Sequence, residues 1–121
     1  MYTYSFEKLE AWRMARKFVV GIYRITALFP REEKYGMVSQ LRRAAVSVCS
    51  NLAEGGSRFG VKDQMRFYNI AYSSLVEVLN QLIISTDLAW ISPETFQPVR
   101  EEIELLSAKI AALRNSRKAR V

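Results

Sequence analysis

Apolar residues recur every three or four positions through four long stretches, at about 6–28, 33–57, 62–91 and 93–116. That spacing is the period of a helix with one buried face. In the first stretch Ala11, Ala15, Phe18, Ile22 and Phe29 fall on one line, flanked by Trp12, Val19 and Tyr23 on one side and Met14 and Ile25 on the other. Met37, Leu41, Ala44, Val48 and Leu52 do the same in the second. In the third, Phe67, Ala71, Leu75, Val78, Leu79, Leu82 and Thr86 face one way, with Tyr72, Val76, Ile83 and Trp90 beside them. No stretch alternates apolar and polar residues as a half-buried strand does, and no Asn-Gly hairpin turn interrupts the pattern. Short connections make consecutive helices run antiparallel. The expectation is therefore all-α: one domain over residues 1–121, an antiparallel up-and-down four-helix bundle.

The breaks carry their own chemistry. Pro30 disfavours helical geometry at Phe29 and should stop the first helix there. Gly55 and Gly56 suit a left-handed stop after Glu54. Ser92-Pro93-Glu94 reads as an N-cap, a first-turn proline and an acid matched to the helix dipole. Pro98 conflicts with a fourth helix that starts at Pro93, because it removes an internal hydrogen bond.

The apolar arcs of the first and third segments look about twice as wide as the 100° or so that a bundle helix buries within one subunit. Part of that surplus, including Tyr23, Tyr72 and Trp90, is expected to meet another copy of the chain, giving a homo-oligomer. The second segment carries a polar stripe, Gln40, Arg43, Ser47, Asn51 and Glu54, beside its core line. Where such a stripe is buried it must be hydrogen-bonded. Glu77, at the margin of the third segment's arc, is the expected partner of Arg43. A structural role in helix register is favoured over a two-carboxylate site built from Glu54 and Glu77.

Composition narrows the chemistry. The chain has no His and one Cys. A Ser-His-Asp triad, a Cys-His pair and an imidazole metal site are all excluded. A single Cys49 cannot form an intrachain disulfide, which fits a reducing, cytoplasmic setting. No apolar run approaches the roughly 18 residues of a membrane span. No cofactor and no enzymatic activity are expected. Against 12 Asp and Glu stand 18 Lys and Arg, a formal net charge of +6. Arg13, Lys17 and Arg24 recur at helical spacing with Arg16 beside them, opposite the apolar stripe. Arg114, Arg117, Lys118 and Arg120 crowd the C-terminal end without an acid, and Arg42, Arg58, Lys62 and Arg66 flank the second break. Any one such cluster reads first as a solvated face. An oligomer repeating a net +6 subunit concentrates the field, however, and pooled clusters neutralise phosphates with little sequence preference, so RNA or DNA is the expected partner. Gly55 to Gly60 lacks the Gly-Lys-Ser/Thr ending of a phosphate-binding loop.

The run from Gln40 to Gly55, QLRRAAVSVCSNLAEG, resembles the signature of the 23S rRNA-intervening-sequence proteins, also called the four-helix-bundle protein family. Phe6-Glu7-Lys8-Leu9 with Trp12 and Ala15, Phe29-Pro30, Glu33-Lys34-Tyr35-Gly36, and Ala71, Ser74 and Glu77 agree with it. Cys49 stands where members often carry proline. The resemblance implies a bundle that assembles into a ring, typically a pentamer, with the Gln40–Glu54 stripe and Glu77 as structural residues and no catalytic residue to transfer. It also implies association with nucleic acid. The alternative it suggests is a protein-interaction scaffold or accessory subunit, such as a partner of a reverse transcriptase.

Overall fold

The computed structural model describes residues 1–118, and four helices dominate it: α1 (Glu10–Thr26), α2 (Met37–Ser57), α3 (Val61–Asp87) and α4 (Pro93–Lys118). Among these residues there is no strand. Each helix packs on the next in sequence and α4 returns to α1, while the backbones of the diagonal pairs α1–α3 and α2–α4 stay more than 8 Å apart. Gln40 bonds Gln81 and Ser47 bonds Ser74, so seven steps along α2 match seven steps back along α3, which makes that pair antiparallel. The core follows the lines read from the sequence for the first three helices: Phe18 and Ile22 of α1, Leu41, Val48 and Leu52 of α2, and Leu75, Val78 and Leu82 of α3 are all buried. Leu106 and Ile110 of α4, for which no line was read, join them.

The ends depart from the sequence reading in instructive ways. Residues Ser5–Lys8 form one 3-10 turn, and extended Leu9 separates it from α1. This arm lies across the end of α2, where the Ser5 hydroxyl donates to the Gly56 carbonyl (2.8 Å) and Phe6 meets Trp12 edge-on (5.0 Å between centroids). Gly55 and Gly56 do not stop α2. The helix continues to Ser57, and no glycine has positive φ. Both are needed for close approach instead: a Cβ at Gly55 would sit 2.5 Å from Cε1 of Tyr68, and one at Gly56 would sit 2.9 Å from Cδ1 of Leu9.

Ser92 caps α4 as its sequence suggests, its hydroxyl accepting the Thr95 N–H at 3.1 Å. Pro98 lies inside that helix, not at a boundary. Pro98 and Glu94, whose carbonyl loses its helical donor, are both exposed, so water reaches the freed group and the helix tolerates it.

The left-handed residue of this fold is Ala89, at φ 62°, just after α3. The Trp90 N–H reaches back to the Ser85 carbonyl at 3.0 Å, the long bond of a left-handed helix stop. Because a Cβ is disfavoured in that conformation, Ala89→Gly is expected to raise stability by about 1 kcal/mol in urea denaturation. The turn also carries Trp90 inward onto Phe29, 5.9 Å between ring centroids. Trp90 therefore packs against the core and not on the surplus face expected for it.

Candidate nucleic-acid interface

Facing away from the core, α1 presents Arg13, Arg16, Lys17 and Arg24 around exposed Val20, and these five residues line one open groove of about 620 Å³. Among the described residues none of the four cations makes an ion pair. Glu10, the acid on α1, pairs with Lys109 of α4 at 3.2 Å and does not line this groove. Arg16 lies over the Trp12 ring (5.6 Å) and the Arg13 Nε donates to the Glu7 carbonyl (2.9 Å), contacts that leave the positive charges uncompensated. No acid of α4, Glu94, Glu101, Glu102 or Glu104, lines the groove.

The other expected cations are more engaged. Arg114 donates to the Asn69 side chain at 3.2 Å. Arg117 is half-buried beside Tyr68, whose phenol is pushed upward by burial and pulled back by that guanidinium. Lys118 is exposed, and Arg120 lies outside the described residues. Arg58 pairs with Glu54 at 3.0 Å and lies over the Phe67 ring, which Arg66 also covers, each at 4.7 Å. Lys62 is exposed.

The polar stripe of α2 runs along its seam with α3. Ser47 and Ser74 share a hydrogen bond of 2.8 Å, and the Asn51 amide donates to the Ser47 carbonyl (2.8 Å) and hydroxyl (3.1 Å). The Gln81 amide donates to Gln40 and to Glu77, both at 3.3 Å. The expected Arg43–Glu77 pair does not form. Both residues line one pocket with Gln40 and Ser47, but Glu77 takes its bond from its own helix, one turn on, where the donor is already in place. Nor do Glu54 and Glu77 converge. The seam register sets Glu77 near Ala44, so about ten residues, or roughly 15 Å of helix, separate it from the level of Glu54.

Helix-wheel reasoning passed over one feature. Where α1 ends and α2 begins, Tyr23, Tyr35, Val38 and Val46 form the apolar part of an open groove of about 610 Å³. Lys34, Arg42 and Arg43 supply its charge, and no acid lines it. Arg42 donates to the Thr26 hydroxyl (2.9 Å) and the Tyr23 carbonyl (3.2 Å) while lying 4.4 Å from the centre of the Tyr23 ring. The available signal was Tyr35 between Lys34 and Gly36, but loop residues carry no period from which to read a direction.

Fold and seam can now be set beside known proteins. The family model described as 23S rRNA-intervening sequence protein matches residues 7–112. The chain belongs to that family. A crystal structure of a protein of unknown function from the S23 ribosomal protein family of Bacteroides thetaiotaomicron VPI-5482 has a TM-score of 0.78 to this intervening-sequence protein, covering 87% of this chain and 95% of that one at 18% identity. At that identity the likeness is one of fold. No curated protein matches the chain.

In this member of the 23S rRNA-intervening sequence family, Cys49 sits half-buried against the core. Burial pushes its thiol upward, outweighing the opposing charge of Arg16, so it acts as a packing residue. Among the described residues no group of three His, Cys, Asp or Glu side chains could hold a metal, and no helix is long and apolar enough to cross a membrane.

Proposed function

We propose that this protein is a non-enzymatic, self-associating helical bundle that binds RNA or DNA by phosphate contact along the outer face of α1. The observation that carries this reading is the groove lined by Arg13, Arg16, Lys17 and Arg24 with no acid in its lining, the four cations unpaired among the described residues. The family's association with 23S rRNA intervening sequences makes structured RNA the first ligand to try. Arg114, Arg117 and Lys118 add charge at the far end of α4.

Self-association rests on α3. Tyr72, Val76 and Ile83 remain exposed along one face of that helix, Val76 at 50%. This band is narrower than the wheel suggested, since Trp12, Met14, Val19, Ile25, Leu79 and Trp90 pack against the core. Burying the band between copies, in a ring such as a pentamer, would remove apolar surface from water and sum the charge of +6 carried by each subunit. The same band favours the second reading, a scaffold that docks another protein, which salt would weaken little.

Filter binding with structured RNA separates the two readings. If four cations each displace one counterion, affinity should fall about 100-fold between about 50 and 200 mM salt. Absence of binding at low salt rejects the nucleic-acid reading.

A further inference from the structure

The groove at the α1–α2 junction differs from the α1 face in kind: it joins aromatic surface to positive charge. Tyr35 is 86% exposed and Tyr23 42% exposed, an unusual amount of ring to leave in water. Each ring already has a cation over it, Lys34 at 5.3 Å from Tyr35 and Arg42 at 4.4 Å from Tyr23. The exposure of Tyr35 leaves ring surface free beyond that contact. Along α1, Arg24 of the basic groove follows Tyr23 of this one directly, and Val20 lies one turn back, so the two grooves are neighbours on that helix.

We infer that this groove takes an unpaired base of a single-stranded nucleic acid, stacked on Tyr35 with Tyr23 and Val46 as the floor, its flanking phosphates held by Lys34, Arg43 and Arg24. The inference rests on the proposed function and deepens it by naming the strand type. A base inside a duplex is already stacked and has no free face to offer, whereas every unpaired base has two. Aromatic platforms beside cationic tracks bind single strands with little sequence preference for this reason. The absence of any acid from the lining matches a polyanion and disfavours an acidic or zwitterionic surface.

The test uses the full chain and two probes, a short fluorescein-labelled oligouridine and a blunt RNA duplex of similar phosphate content, read by fluorescence anisotropy at low salt. Tyr35→Leu keeps an apolar side chain and removes the ring; Tyr35→Phe keeps the ring. Tyr35 is too exposed for either change to unfold the bundle. The expected result is about a ten-fold loss of oligouridine affinity in Tyr35→Leu, none in Tyr35→Phe, and unchanged duplex binding in both. Wild-type oligouridine affinity in Tyr35→Leu overturns the stacking site and leaves phosphate binding along α1 standing. Equal losses on both probes also overturn it. Failure of the unaltered protein to bind either probe overturns the stacking site together with the reading beneath it.

Discussion

Reversing the three charges Arg13→Glu, Lys17→Glu and Arg24→Glu together should abolish structured-RNA binding, a loss of more than about 100-fold at low salt, while the bundle stays folded. Each reversal removes two units, so three take the formal net charge from +6 to zero. Each also turns a phosphate contact into a repulsion on the face where the contacts are made. The fold should not notice. All three side chains are exposed and unpaired among the described residues, and the bond from Arg13 to the Glu7 carbonyl is a surface contact. Surface substitutions of this kind usually stay within about 0.5 kcal/mol of neutral. Circular dichroism melts establish folding, and mobility-shift titration reads binding. The control is an equal change of charge placed elsewhere, at Lys8, Arg31 and Lys62. If that variant loses as much affinity as the α1 variant, net charge and not its placement governs binding, and the assignment to α1 is wrong.

The second large effect concerns stability and runs against helix propensity. Gly55→Ala should lower stability by about 2 kcal/mol, although alanine in place of glycine inside a helix ordinarily gains about 1 kcal/mol. The added carbon would lie 2.5 Å from Cε1 and 2.9 Å from Cδ1 of the fully buried Tyr68 ring, and 3.2 Å from Cβ of Phe67. The expected fall in Tm is about 8 °C for a chain of this size. Tyr68→Leu in the same background should recover much of it, since the clash and its relief involve one pair of side chains. An unchanged or higher Tm for Gly55→Ala would show that α2 and α3 are not packed as closely as described.

The contrast between these two sites marks what the sequence could disclose. The four helices and the core lines of the first three followed from apolar periodicity, because a helix face is written in spacing alone. The Ser92 cap was legible for a similar reason: a cap acts within one turn. Gly55 was misread because its constraint comes from Tyr68, on another helix, and a glycine required by a neighbour looks the same as a glycine required by φ. Ala89 was missed because alanine gives no sign of a left-handed turn. The Arg43–Glu77 pair failed since opposite charges on adjacent helices say nothing about register, and Gln81 lay closer. The basic face of α1 could be listed residue by residue, yet the pairing of its neighbour Glu10 with Lys109 of α4 could not, because that partner lies 99 residues away. The tyrosine groove needs the end of one helix and the start of the next, which no single-helix period contains.

Arg42 shows how the cations of this molecule divide into two thermodynamic kinds. Lys17 and Arg24 of α1 are exposed and must surrender rotamer freedom whenever they grip an anion, a loss approaching about 2 kcal/mol for a long side chain held fully fixed. Arg42 has already surrendered it in completing the end of α1, where its guanidinium satisfies the Tyr23 carbonyl and the Thr26 hydroxyl. A polyanion bound as proposed would meet a pliant stretch that conforms to it and a rigid anchor that does not, and selectivity for shape would reside at the anchor.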